Sequence, residues 1–382
     1  MTMKNTGANM ESVRKKNRAA ILKYINDHGP ASRKDLADIL GLTPAAVTQI
    51  CTDLFDDGIL VETGENVESA RAGRKKVLLD INYSNTYVCG INIDPETTTV
   101  AIADYKGTLL AQKSCRTDTG VPAADYIRTL SGIAKKLLQE KACKAGSLAA
   151  IGVGVVGLVD KEAGSSVKAY GIWKERVPIA DILAESFSVP VYVENNVNAF
   201  AVAELLYGEG REHDNLMVVK WGPGVGCAMI IEQDIYDGRH SKAAELGHFI
   251  VEKDGALCSC GRHGCLETKV SYAALNKIVP FEESAFGQVL ADTEGSAAGA
   301  KFAEALDLFA RSLVNSATIM APNRIVLTGP LFESPLVRKT IIDACMAYDD
   351  GFNEERIIYS SLAQKAYYIG PIAICAKMQL FS

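Results

Sequence analysis

No stretch of this 382-residue chain approaches the roughly 20 consecutive apolar residues that span a bilayer. The opening MTMKNTGANMESVRKKNRAAI also lacks the apolar core of about 7–15 residues that marks a secretory signal. A cytoplasmic protein with no membrane partner is the expectation. An excess of positive charge is missing as well: 40 Lys and Arg stand against 46 Asp and Glu, a formal net charge of −6. The surface as a whole is therefore no general polyanion binder, and any nucleic-acid site must come from a local patch. No repeat at a period of about 20–50 residues is visible, which argues against a solenoid. Histidine is scarce, with 5 in all, so an imidazole beside other donor side chains stands out. The chain is 48% hydrophobic, enough for two or three domains with ordinary cores. Its 10 cysteines stay reduced in a cytoplasm, so a tight cluster of them reads as metal-binding before it reads as disulfide.

Residues 1–82 read as a DNA-binding head. In RAAILKYINDHGP, Ile21, Tyr24 and Ile25 fall at i, i+3, i+4, and Gly29-Pro30 ends the helix. Ser32 can cap a second helix with Asp35 as its capping-box partner and Leu36, Ile39 and Leu40 as the apolar face. Gly41 permits a sharp turn. Thr43-Pro44 then starts a third helix whose Val47, Ile50, Cys51 and Leu54 point inward. This spacing predicts a helix-turn-helix. The outward face holds Thr43, Ala45, Ala46, Thr48, Gln49 and Thr52, small and polar enough for a major groove. Gln49 suits adenine and Thr48 a base or phosphate, while Arg33 and Lys34 suit phosphates. A three-helix bundle used for dimerisation, or a wing domain that binds protein, is the competing expectation.

A hairpin follows, Ile59–Thr63 and Val77–Ile81, whose loop ends ARAGRKKV. Arg71, Gly73, Arg74, Lys75 and Lys76 cluster there. A wing of this kind places Gly73-Arg74 in a minor groove and Lys75 on the backbone. Through position 80 there are 12 basic and 11 acidic residues, a net of +1, so the basic patch is local.

After residue 82 the pattern becomes α/β. VCGINID, TTTVAIAD and TLLAQKSC read as an antiparallel meander, Tyr126–Lys141 as a helix and LAAIGVGVVGLVD as one buried strand. VPVYVENN leads into a helix near Asn196, and NLMVVKWGPGVGCAMII makes two strands around a glycine turn. A helix over 298–321, the strand NRIVLTGP and a helix after Gly370-Pro371 complete the chain. Two such units predict two lobes with a cleft between them. The expected division is 1–82 for the head, 83–197 with the C-terminal helix 366–382 for the first lobe, and 198–365 for the second.

The segment ELGHFIVEKDGALCSCGRHGCLE holds His248, Cys258, Cys260 and Cys265. One imidazole and three thiolates make a closed tetrahedral set, the composition of a structural zinc site with no position left for a catalytic water. Gly261 and Gly264 let the loop curl. A disulfide, or three unrelated buried thiols, is the plainer alternative.

A helix-turn-helix with a wing, followed in order by VENNVNAFAVAE, KWGPGVGCAMI, AAELGHF and CSCGRHGCLE, resembles the ROK family of repressors, open reading frames and kinases, in its transcriptional-regulator branch. The resemblance runs from about Arg14 to the C-terminus. It implies an actin-like, ribonuclease-H-like sugar-kinase fold with the sugar between the lobes. It also implies that zinc fixes a loop carrying sugar ligands. Asn195, Glu245, His248 and Glu267 match the family's sugar-contacting positions, with Gly157 near the ring.

A kinase of that family needs three further features, and the chain departs from each. Its first phosphate loop, Gly-x-Asp-x-Gly-Gly-Thr, is here Gly90-Ile91-Asn92-Ile93-Asp94-Pro95-Glu96. Asn92 offers no carboxylate for magnesium, Pro95 no N–H, and Asp94 and Glu96 repel phosphate. The general base is an aspartate after the sugar-binding asparagine; here it is Asn196, an amide without useful basicity. The second loop, of Gly-Thr-Gly type, is Gly222-Pro223-Gly224-Val225-Gly226. The expectation is a repressor, not an enzyme. It would bind palindromic operator DNA as a homodimer or dimer of dimers and a monosaccharide that Asn196 still hydrogen-bonds. Its signal would pass through the link at Asn82–Asn85. A live sugar kinase, or a module that docks on another protein, are the rival expectations.

Overall fold

Ser32 and Thr43 each open a helix by accepting a hydrogen bond from a backbone N–H three residues on, at 3.2 Å from Asp35 and 3.2 Å from Ala46. The computed structural model describes residues 10–67, 76–140, 148–238 and 243–382. In its head, α1 (Met10–His28) is followed by the two-residue strand β1 (Ala31–Ser32), α2 (Arg33–Leu40) and α3 (Pro44–Asp56). Ser32 Oγ also donates to Asp35 Oδ2 at 2.7 Å, which pairs the side chains of the two expected capping-box residues. Gly41 ends α2 at φ +64°, the left-handed geometry the tight turn requires. The wing strands β2 (Leu60–Val67) and β3 (Lys76–Ile81) pair antiparallel, and β1 adds to the outer edge of β3. Ile21, Ile25, Leu36, Val47, Cys51 and Leu54 form the core, each at 1% exposure or less.

One expected core residue is outside. Ile39 is 55% exposed, and Ala37 is buried in its place. At about 100° per residue, Leu36, Ala37 and Leu40 span one face of α2, and Ile39 lies beyond its edge.

The body opens with the meander β4 (Tyr87–Ile93), β5 (Thr97–Asp104) and β6 (Leu109–Arg116). α4 (Ala123–Glu140) leads to β7 (Leu148–Val155), parallel to β4. A small hairpin of β8 (Leu158–Asp160) and β9 (Ser165–Lys168), then α5 (Ile179–Ala184), precede β10 (Val191–Asn195), parallel to β7. The strand expected over LAAIGVGVVGLVD is thus broken, at Gly157, whose φ of +95° turns the chain. α6 (Asn196–Tyr207) joins this sheet to a second one.

The second sheet begins with β11 (Leu216–Trp221), β12 (Val225–Ile231) and β13 (Asp234–Ile235), again antiparallel. The one-turn helices α7 (Glu267–Val270) and α8 (Tyr272–Leu275), then α9 (Phe286–Asp292) and α10 (Ala297–Met320), lead to β14 (Arg324–Thr328) beside β11. α11 (Pro335–Met346) precedes β15 (Ile357–Tyr359), and α12 (Ile369–Leu380) ends the chain. The sheet orders, β10-β7-β4-β5-β6 and β13-β12-β11-β14-β15, share one plan: a three-stranded meander extended by parallel strands. This is the mixed α/β, two-lobed actin-like fold, repeated in topology with no matching period in the sequence.

α12 starts at Ile369, ahead of Gly370-Pro371, because Pro371 falls in the first turn, where no intrahelical bond needs its missing N–H. It lies against β4 and β7. The approach is so close that a Cβ on Gly152 would stand 2.0 Å from the Pro371 carbonyl oxygen. α6 lies between α12 and β12, where a Cβ on Gly226 would meet Val197 at 2.5 Å. One apolar cluster runs without interruption from the head helices through α6 and α12 into both sheets. No helix among the described residues is long and apolar enough to cross a membrane.

Candidate functional site

The capping asparagine of α6 sets the floor of the site. Asn195 Oδ1 accepts from the N–H groups of Val197 (2.8 Å) and Asn198 (3.2 Å), and its Nδ2 donates to the Gly157 carbonyl at 2.9 Å. The cap therefore ties the strand β10, the bend at Gly157 and the start of α6 together. All three open on a cleft of about 620 Å³ between the sheets. Asn195, Asn196, Gly157, Glu245, His248 and Glu267 all line it, so the expected sugar residues meet in one place.

Asn196 is only 6% exposed. Its Nδ2 donates to Asp94 Oδ1 at 2.6 Å, while its Oδ1 has no partner among the described residues and remains an acceptor or ligand contact. Asp94 is bound three ways: by Asn196, by Asn92 Nδ2 at 2.8 Å, and by Lys220 Nζ at 3.0 and 3.2 Å. Asp94 stands on the turn after β4 and Lys220 on β11, so this ion pair bridges the two sheets across the cleft. The expectation that Asp94 repels phosphate needs amending: Lys220 neutralises it. Uncompensated charge lies instead with Glu96, Glu283 and Glu333. Burial, and next to it Glu96, pushes the Glu283 carboxyl up to about 7, against the pull of Lys220.

The cysteine loop forms the other wall. His248 Nδ1 lies 3.5 Å from Cys258 Sγ, and Cys260 Sγ lies 3.7 Å from Cys265 Sγ. All four donor atoms fall within 4.8 Å of one another. Zn–S and Zn–N bonds of ~2.3 and ~2.05 Å at a tetrahedral angle give edges of ~3.8 Å for S···S and ~3.6 Å for S···N. The donor set fits that ion in both chemistry and spacing. Burial depresses the His248 pKa, which keeps the ring neutral as a ligand must be. Its other nitrogen, Nε2, faces Glu245 Oε2 at 3.6 Å across the cleft wall, and Tyr170 packs edge-on at 5.7 Å. Glu267 Oε2 accepts from the Val225 N–H at 3.2 Å, and Oε1 from Ser259 Oγ at 3.4 Å. Burial raises the Glu267 pKa. Loop, glycine turn and helix start thus fix two acceptor carboxylates, Glu245 and Glu267, and one donor, His248 Nε2–H, around one volume, an arrangement suited to adjacent hydroxyls.

On the head, Thr43, Ala45, Thr48 and Gln49 are all exposed along α3, and Lys34 is exposed beside them. Thr48 Oγ1 donates to the Pro44 carbonyl (2.7 Å) and Gln49 Nε2 to Asp53 Oδ1 (3.1 Å). Asp53 also pairs with Arg14. Arg33 is half-buried, its guanidinium 5.4 Å from the Phe55 ring centroid and its Nε without a partner among the described residues. Arg71, Gly73, Arg74 and Lys75 lie outside the described residues.

Residues 88–378 match the ROK family. The chain belongs to the ROK family. Ahead of the ROK domain, residues 14–61 match a winged helix-turn-helix DNA-binding domain. The chain is 26% identical to the xylose repressor of Bacillus subtilis over 96% of both chains. It is 25% identical to the transcriptional dual regulator NagC of Escherichia coli, over 88% of this chain and 86% of that one. The xylose repressor of Caldicellulosiruptor bescii is 28% identical, over 69% of this chain but 65% of its own length. Among solved structures, a ROK family transcriptional regulator homologous to the E. coli MLC protein superposes with a TM-score of 0.81, at 20% identity over 96% of both chains. The ROK hexokinase of Thermus thermophilus gives 0.64, at 22% identity over 77% of this chain and 99% of that one. ROK repressors and ROK kinases thus share this scaffold.

Sequence reasoning passed over Lys220 and Tyr170. Lys220 had a visible signal, a lysine at the end of the otherwise apolar strand LMVVKW, where burial demands a partner. Tyr170 had none; only the hairpin β8–β9 brings it to the cleft.

Proposed function

We propose that this ROK protein is a sugar-responsive DNA-binding repressor that holds a monosaccharide against a zinc-fixed loop and transfers no phosphate to it. Zinc would be held by His248, Cys258, Cys260 and Cys265 and would supply a rigid loop rather than a reactive water. Glu245 and Glu267 accept from sugar hydroxyls, the free Nε2–H of His248 donates to a hydroxyl oxygen, and Asn195 and Asn196 close on the ring from the α6 side. The head reads a palindromic operator as a cytoplasmic homodimer or dimer of dimers, with Thr43, Ala45, Thr48 and Gln49 in the major groove. Arg33, Lys34 and Lys75 hold phosphates, and Gly73-Arg74 enters the minor groove.

One observation carries the link between the two halves. α6 begins with the cleft residues Asn195 and Asn196 and ends against the head. Asn26 Nδ2 on α1 donates to the Leu206 carbonyl at 2.8 Å, and Tyr83 Oη donates to Asn26 Oδ1 at 2.8 Å. Arg211, just beyond α6, reaches the Asp27 carbonyl. A 12-residue helix is about 18 Å long, so a shift at the sugar is delivered to α1 by a rigid rod. This route stands beside the expected link at Asn82–Asn85, whose Tyr83 it includes.

The kinase reading is opposed by the same cleft. The side chain at the base position is an amide tied to Asp94, and Lys220 is spent on that carboxylate. Losing a general base costs about 10²–10⁴-fold in rate. The deciding experiment supplies ATP and a panel of monosaccharides to the zinc-loaded protein. Operator binding that changes with one sugar, without phosphorylation of it, is expected. Sugar-dependent ATP turnover would overturn the proposal.

A further inference from the structure

The lining of the cleft reaches beyond the zinc loop to the end of β15 and the segment ahead of α12. Its far end, away from the zinc loop, is bounded by Tyr359 at the end of β15, Tyr367 ahead of α12, and the small residues Ala363 and Ala366. Glu96, Glu283 and Glu333 face the same space. At about 620 Å³ the whole cavity sits mid-range for sites of ~300–1,000 Å³ that enclose ligands larger than a monosaccharide.

The chemistry of this end narrows the ligand. Lys220 is the one lysine or arginine lining the cleft among the described residues, and Asp94 holds it. With Lys220 held by Asp94, Glu96 and Glu333 disfavour a triphosphate or a sugar phosphate, and Glu283, pushed up to about 7, adds part of a charge. Carboxylates do grip neighbouring hydroxyls, and tyrosine rings cover the apolar C–H faces of a sugar. The Tyr359 ring is held in place by the Arg338 guanidinium, 4.4 Å from its centroid, and Arg338 is itself bound to the Phe332 and Glu333 carbonyls at 2.7 and 2.9 Å. The Tyr359 ring and the Glu333 backbone are therefore pre-positioned rather than loose, which lowers the entropy lost on binding. At the near end stands Asn196, a lining residue only 6% exposed whose buried Oδ1 has no partner among the described residues.

We propose that the far end is a second sugar subsite, so that the preferred effector is an unphosphorylated disaccharide whose first ring occupies the zinc-loop site and whose second ring lies against Tyr359, Tyr367, Glu283 and Glu333. This rests on the sugar-binding reading above and extends it. The two rings of one glycoside would draw the sheets together at both ends of the cleft, where a single ring engages the zinc-loop end alone.

Calorimetric titration of the zinc-loaded full chain tests it, with D-glucose, D-xylose, N-acetylglucosamine and their 1,4-linked dimers as probes, and ATP and glucose 6-phosphate as anionic controls. At least one dimer should bind tenfold or more tightly than its monomer. Glu333→Gln and, independently, Tyr359→Ala should remove that gain while leaving the monomer's affinity within twofold, whereas Tyr359→Phe, which keeps the ring, should retain it. Glu267→Gln should weaken monomer and dimer alike. Binding of monomers without any gain for dimers overturns the subsite and leaves the sugar reading standing, as does a dimer gain that survives both Glu333→Gln and Tyr359→Ala. Tight binding of ATP or of the sugar phosphate overturns the charge argument. Failure of every sugar, monomer or dimer, overturns the sugar reading itself and the subsite with it.

Discussion

At the scale of single residues, two positions bear on what this cleft can do and a third on the stability of the fold around it. Asn196 is the most telling. An aspartate there would supply a kinase's base, but here it would face Asp94, whose oxygen is 2.6 Å from the present amide nitrogen. Asn196→Asp should therefore destabilise the protein by about 1–3 kcal/mol through an unmatched buried polar contact. On the proposed repressor reading it should yield no ATP turnover; thermal melts and a coupled kinase assay check both halves. Cys260 is the second. Cys260→Ser should lose the metal and the sugar response together, read by metal analysis and by titration, because the loop that carries His248 and leads into Glu267 is shaped by the four donors. The third is Glu204, fully buried on α6, where burial pushes its carboxyl up to about 7 despite hydrogen bonds from Ser360 and the Glu209 N–H. In the unfolded chain it titrates near 4.5. The folded state thus binds the extra proton between those values, and stability falls as pH rises from about 4.5 through about 7. A shift of this size corresponds to about 3 kcal/mol. Melting temperatures measured from pH 5 to pH 8 should decline across that window, and Glu204→Gln should flatten the decline.

At the scale of elements, α6 is the part that makes one machine of two domains. Its start is capped in the sugar cleft and its end is docked on α1, and the same apolar cluster runs along it. α12 parallels it: Arg18 on α1 donates to the Leu380 carbonyl at 3.3 Å. If α6 is the route, Asn26→Ala should leave sugar affinity and basal operator affinity near wild type. It should reduce the effect of sugar on operator binding, a coupling that amounts to ~1–3 kcal/mol in typical allosteric proteins. Gel shifts with and without sugar read the difference; an unchanged sugar response would remove Asn26 from the pathway. The head's helices were legible from caps alone, since Ser32, Gly41 and Thr43-Pro44 act within a turn of where they stand. Ile39 was misplaced because an eight-residue helix presents only one narrow face to its neighbours, and which face depends on how α1 and α3 lie. The break at Gly157 and the hairpin β8–β9 were invisible because a run of small and apolar residues fits one long strand equally well.

At the scale of the whole molecule, the Asp94–Lys220 pair spans the cleft and competes with any ligand that needs either group. Lys220→Ala should leave Asp94 without its cationic partner, loosen the two sheets and change the sugar affinity; small-angle scattering with and without sugar reads the opening. The head should behave as an electrostatic binder laid on a net-negative body. Operator affinity should fall steeply with salt, and Arg74→Ala should lower the slope of log affinity against log salt by about one. A slope unchanged by that substitution would take the wing out of the DNA contact.

The sequence by itself determined the helix-turn-helix, the three strands of the first meander, the strand pair that opens the second, and the donor set of the cysteine loop. Those depend on residue type and short spacing, which chain-local chemistry reads directly. Only the tertiary structure decided that Lys220 closes on Asp94 across 126 residues, that Tyr170, Tyr359 and Tyr367 share the cleft, and that one helix runs from the sugar residues to α1. Such contacts arise where two sheets and a long return helix converge. No local pattern encodes that convergence, because it is set by which apolar faces find one another once the whole core has closed.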